Sequence, residues 1–103
     1  MFRIVYHPLV PREDIPILNR DIKARIRRAI EARLTQAPQD YGKPLSGTLH
    51  AYWSLRVGDY RIVYLIQPPL VKILRICHRR DAYEAGELDA RRRGWTTQGR
   101  TNS

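Results

Sequence analysis

The sequence predicts an α+β domain: a largely antiparallel four-stranded sheet, two N-terminal helices on one of its faces, and a short C-terminal helix. Three observations carry this reading. Apolar residues recur at helical spacing between Ile22 and Leu34, the period changes to two beyond Gly47, and Gly/Pro pairs separate the alternating runs. At 103 residues and 43% hydrophobic the chain supports one core and not two. Residues 1–94 are therefore read as one domain and 95–103 as a polar C-terminal tail.

Each element has its own signal. Phe2 to Tyr6 is a run of β-formers that His7-Pro8 ends, because proline cannot donate to a ladder. Pro11 to Leu18 begins with proline and acids, but Pro16 limits it to a turn or two of helix. Ile22, Ile26, Ala29, Ile30 and Leu34 mark an amphipathic helix from about Arg20 to Thr35, capped by Asn19 or Asp21. Pro38 to Gly47 is rich in turn formers. His50–Val57, Tyr60–Gln67 and Leu70–His78 then read as strands, joined by Gly58-Asp59 and by Pro68-Pro69. Ala82 to Arg93 is a weak helix that Gly94 ends. It contains Gly86 and is poorly amphipathic, so it is expected to be loosely held and open to displacement by a partner segment. Helices on one face would leave the other face free.

The charge balance is lopsided, with 19 Lys plus Arg against 10 Asp plus Glu and a net charge of +9. Sixteen of the 19 cations are Arg, whose planar fork suits phosphate and carboxylate. A polyanionic partner is favoured, nucleic acid first, with a genome rich in Arg codons as the ordinary alternative. The single cysteine, Cys77, cannot form an internal disulfide and lies in an apolar run. No apolar stretch approaches the roughly 18 residues of a membrane span, and Met1 to Tyr6 lacks the apolar core of a signal peptide. A cytoplasmic protein with no membrane partner is expected.

Cations and aromatics concentrate in the strands. Tyr52, Trp53, Arg56, Tyr60, Arg61 and Tyr64 are followed by Arg75, His78, Arg79, Arg80 and Tyr83. A single-stranded nucleic acid needs cations for its phosphates and ring faces for its bases. Strands also favour aromatics for packing alone, so both explanations stand at this point.

Three segments sharpen the choice. Tyr41-Gly42-Lys43-Pro44-Leu45-Ser46-Gly47, Leu55-Arg56-Val57-Gly58-Asp59-Tyr60-Arg61-Ile62-Val63-Tyr64 and Ile76-Cys77-His78-Arg79-Arg80-Asp81-Ala82-Tyr83 resemble the signature segments of RelE-type toxins of the RelE/ParE superfamily. Glu13-Asp14-Ile15-Pro16, Arg25-Ile26 and Ala29-Ile30-Glu31 resemble the same family, so the likeness runs over about residues 2 to 84. It implies a RelE-like fold and the toxin of a type II toxin–antitoxin system. It further implies a ribosome-dependent endoribonuclease that cuts mRNA and stops translation. A cognate acidic antitoxin in a hetero-oligomeric complex is implied too, with ribosome and mRNA as further partners and no cofactor.

By residue-level match the resemblance assigns catalysis to Arg61, Arg79 and Tyr83. Lys43, Tyr52, Arg56, His78 and Arg80 are read as RNA-binding, and no metal ligands are expected. Cleavage by the RNA's own 2′-hydroxyl builds negative charge on five-coordinate phosphorus, which two guanidinium groups can hold. Tyr83 is suited to protonating the leaving oxygen or to stacking on a base. Some RelE-type toxins carry basic residues where this chain has Tyr52 and Ser54, so Lys43, His50 and His78 are the remaining candidates for a general base. Arg56 and Asp59 have a structural alternative, an ion pair across the hairpin, and Arg91-Arg92-Arg93 reads as a solvated charge run suited to a helix C-terminus. Two other functions stay open: a ParE-like inhibitor of DNA gyrase without nuclease activity, and a degenerate relative that only binds an antitoxin.

Overall fold

The structure, a computed structural model, describes residues 1–49, 51–81 and 84–95. Strand β1 (Arg3–Tyr6) leads into a wide helical turn at Val10–Asp14, where the Ile15 N–H donates to the Val10 carbonyl. Helix α1 spans Arg20–Ala29 and continues as a further wide turn over Ile30–Leu34. Its cap is Asn19, whose side chain accepts from the Ile22 N–H at 2.9 Å. A single helical turn, α2 (Pro38–Tyr41), and the two-residue strand β2 (Lys43–Pro44) occupy the stretch read as turns. Strands β3 (Trp53–Val57), β4 (Tyr60–Gln67) and β5 (Leu70–His78) form the meander, and α3 (Ala85–Arg93) follows.

The sheet differs from the four-stranded, largely antiparallel expectation. It has five strands in the order β1-β5-β4-β3-β2, and β1 runs parallel to β5. A parallel neighbour needs a long crossover, which the helical segment between β1 and the meander supplies. The fifth strand, β2, lies at the edge, where Pro44 costs no ladder bond.

The second difference is that neither face of the sheet is free. One face buries Leu55, Val57, Ile62, Tyr64, Val71, Ile73 and Ile76 against Val10, Leu18, Ile26, Ala29, Ile30 and Leu34. The Tyr64 hydroxyl, 2.6 Å from the Pro38 carbonyl, ties α2 to this face, and Gly42 leaves the space that the hydroxyl needs. The opposite face buries Tyr52, Val63, Leu65 and Leu74 beneath Leu88 of α3 and Trp95. Burial on both faces explains why β4 carries apolar residues at consecutive positions from Ile62 to Ile66. Trp95, at the start of the segment read as a tail, packs edge-on against His7 at 5.1 Å and lies under the Lys72 ammonium at 4.6 Å.

Helix α3 is firmly attached, contrary to the expectation of a loosely held element. Arg91 is 7% exposed and forms a two-pronged ion pair with Asp14 at 2.8 and 3.0 Å. It also donates to the Leu74 carbonyl at 2.9 Å, and Asp14 accepts from the Ile76 N–H at 2.9 Å. The expected solvated run thus contains a buried arginine. Only Arg92 and Arg93 face water.

Candidate nucleic-acid interface

Cross-strand register decides which side chains share a face. Arg56 of β3, Arg61 of β4 and Cys77 of β5 form one row across the sheet on the face that α3 covers. The next row holds Lys43, Ser54, Val63 and Arg75. A register shift between Val63 and Tyr64 places Leu74 as an extra residue in β5. That one residue inverts the alternation, so Arg75 and Cys77 join Arg61 instead of turning toward the helical side.

Beyond the covering helix the row opens into a shallow cleft of about 450 Å³, lined by Arg61, His78, Arg79 and Arg80. Arg61 donates from one terminal nitrogen to the carbonyls of Tyr60 at 2.9 Å and Gly58 at 3.2 Å. Those bonds fix its fork against the hairpin and leave its other N–H groups for a ligand. The Arg79 N–H donates to the Asp59 carbonyl at 2.7 Å, and its side chain lies 3.3 Å from the Asp59 carboxylate. With both partners about two-thirds exposed (61% and 67%), this pair is readily exchanged for a phosphate. Asp59 therefore pairs with Arg79, not with Arg56. Nδ1 of His78 accepts from the Arg80 N–H at 3.1 Å and from Arg80 Nε at 3.2 Å, and the ring meets Tyr60 edge-on at 5.1 Å. With Nδ1 accepting, the neutral ring carries its proton on Nε2, so His78 offers a donor to a ligand.

The other expected site residues are dispersed. Arg56 is exposed beside Arg61, and Lys43 is exposed on β2 in register with Ser54. Tyr52 is not available to RNA: it is 1% exposed, and its hydroxyl donates to the Asp89 carboxylate of α3. Burial and that carboxylate push its hydroxyl pKa up. Tyr83 and His50 lie outside the described residues. Arg75, absent from the expected site residues, stands one row from Arg61 and is held by Glu87 of α3, while its buried Nε–H has no partner among the described residues. Its place in the cationic run of the last strand was the available signal.

The cleft thus brings three guanidinium groups and one imidazole donor to a single solvent-open depression. Such a group binds a phosphate and holds charge that develops on it. Among the described lining residues no basic nitrogen stands free to take a proton.

Comparison with known proteins identifies relatives of the chain and of its fold. Residues 2–83 match the family described as ParE toxin of type II toxin–antitoxin system, parDE. Toxin RelG of Mycobacterium tuberculosis is 36% identical over 74 residues, covering 70% of this chain and 85% of the relative. The toxin–antitoxin complex RelBE2 of the same organism contains a chain of similar structure. Its TM-score is 0.70 at 31% identity, covering 76% of this chain and 98% of that one. A chain of the RelB–RelE antitoxin–toxin complex from Methanococcus jannaschii shares the fold with a TM-score of 0.59 at 23% identity, covering 74% and 91%. The chain belongs to the ParE toxin family of type II toxin–antitoxin systems, within the RelE/ParE superfamily.

Proposed function

We propose that this toxin is a ribosome-dependent endoribonuclease that cuts mRNA and is silenced by an acidic antitoxin. The observation that carries the reading is the convergence of Arg61, Arg79 and Arg80 with the His78 donor in one open cleft. In this mechanism the 2′-hydroxyl of the message attacks the adjacent phosphorus and gives its proton to solvent water, while the P–O5′ bond breaks to leave a 2′,3′-cyclic phosphate and a protonated 5′-oxygen. Arg61, fixed by the hairpin carbonyls, and Arg79, freed from Asp59, hold the phosphoryl oxygens as charge builds on them. Tyr83 is the proposed proton donor to the leaving oxygen. With no base standing free in the described part of the cleft, the ribosome supplies the near-attack geometry, worth several kcal/mol of barrier. The test compares naked message with message presented on a ribosome. Cleavage of the ribosome-bound RNA alone is expected, and equal cleavage of both would refute the ribosome dependence.

The antitoxin is proposed to cover the cationic cleft directly. Displacing α3 would require breaking the buried Asp14–Arg91 pair, so occlusion is the less costly route. A second reading, inhibition of DNA gyrase without nuclease chemistry, is favoured by the ParE description of the matching family. Induction in a bacterium separates the two. An early fall in protein synthesis with cut messages supports the nuclease, and DNA-damage signalling with intact messages supports the gyrase inhibitor.

A further inference from the structure

We propose that the groove between α1 and the β3–β4 hairpin is a second nucleic-acid surface, one that grips the phosphate backbone of double-helical RNA. The choice of RNA over DNA rests on the ribosome-directed reading above; the polyanion-binding argument does not. The groove encloses about 780 Å³ and is lined by Arg25, Arg28, Arg33 and Arg56 with one carboxylate, Asp59. Asp59 already faces Arg79 from the far side of the hairpin.

Three features separate this groove from an ordinary solvated helix face. First, α1 distributes its charges unequally. Toward the other side Arg27 pairs with Glu31 at 3.5 Å, whereas Arg25, Arg28 and Arg56 have no ion-pair partner among the described residues. Second, like charges are placed where they repel. Arg25 and Arg28 are neighbours on the helix surface, and both line the groove with Arg33. That repulsion is a standing cost to the free chain, and an anion relieves it. Third, the groove is built. Gly58, at φ +58°, closes the hairpin, and a Cβ there would come 3.3 Å from an Arg25 terminal nitrogen. The bare glycine lets the Arg25 guanidinium reach from the helix onto the hairpin tip.

A phosphate backbone fits this lining better than a protein segment does. Protein interfaces are anchored by apolar and aromatic side chains in pockets. Here the apolar lining consists of Ala29, Ala32 and Val57, with Ala29 and Val57 already buried in the toxin's own core. Arg56 borders both the groove and the row leading to the cleft, so RNA held in the groove lies against the same hairpin that presents Arg61 to the message.

The test uses the full-length chain and an RNA duplex of about 20 base pairs, with affinity measured between ~50 and ~200 mM salt. Arg25→Gln/Arg28→Gln is compared with Arg20→Gln/Lys23→Gln, which removes the same charge from the opposite side of α1. The groove variant is expected to bind at least about tenfold more weakly and to lower the salt slope by about one to two. The control variant is expected to retain most of the wild-type affinity. Equal losses in both variants would overturn the proposal, because net charge alone would then explain binding. A DNA duplex bound as tightly as RNA would overturn the assignment to RNA. A poly-glutamate peptide bound more tightly than the duplex would reassign the groove to an acidic protein. No step involves cleavage, so a toxin that fails to cut ribosome-bound message leaves this result standing.

Discussion

Replacing Arg91 by alanine tests how α3 is held. In the wild type the Arg91 and Asp14 side chains are 7% and 8% exposed and meet at 2.8 Å. Removing the guanidinium strands a buried carboxylate that keeps only the Ile76 N–H, and leaves the Leu74 carbonyl without its side-chain donor. Breaking a buried pair from one side costs about 3–5 kcal/mol, a large part of the roughly 5–15 kcal/mol that holds a domain folded. With a urea slope of roughly 1–2 kcal/mol/M for so small a domain, the midpoint should fall by about 1.5–5 M. Arg93→Ala, exposed two residues on, should stay within about 0.5 kcal/mol of wild type. Asp14→Ala/Arg91→Ala should lose less than the sum of its single variants, because the unpaired charge is gone. It should still fall short of wild type, since an unmet buried backbone group costs about 1–3 kcal/mol. An Arg91→Ala protein within about 1 kcal/mol of wild type, or strictly additive losses, would show that the pair is not a buried latch.

Arg61→Ala and Arg79→Ala should each lower message cleavage by roughly 10²–10³ while leaving the urea midpoint near wild type; full toxicity at matched expression would remove that residue from the site. Stability should also depend on pH through His7, which is 7% exposed, donates from Nε2 to the Arg91 carbonyl at 3.0 Å and accepts the Leu9 N–H at Nδ1. Burial lowers its pKa, so the unfolded chain binds the proton more readily. The contribution of His7 is then complete above the unfolded value of about 6.5 and is lost as pH falls through the lowered folded value. Urea midpoints at about pH 5 and 7.5 should differ more in wild type than in His7→Gln, and an unchanged difference would exclude His7 as the source.

Much of the architecture was legible because its causes are local. Strands β4 and β5 were bounded correctly by Gly58-Asp59 and Pro68-Pro69, since turn chemistry acts over a few residues. The helical spacing from Ile22 to Leu34 located the helical layer for the same reason. Arg61 could be singled out because a charge within an apolar central strand needs a reason, and the structure places it in the cationic cleft.

What stayed hidden depends on contacts between distant parts of the chain. Asp14 and Arg91 are 77 residues apart, and each in its own segment looks like a solvated charge. Tyr52 looked like a stacking platform because its sequence neighbourhood is cationic, yet α3 folds back over it and supplies the Asp89 carboxylate for its hydroxyl. Parallel pairing of β1 with β5 leaves no signature in either strand. The clearest case is Arg75. Strict alternation from Lys72 and Leu74 would turn it toward the helices, but the extra residue at Leu74 inverts the parity beyond it and brings Arg75 and Cys77 into line with Arg61. The amino-acid sequence by itself determined which residues carry charge and where chain direction reverses, because those are properties of single residues and short turns. Only tertiary structure decided which charges share a face, because register, bulges and long-range ion pairs exist only once the strands and α3 have met.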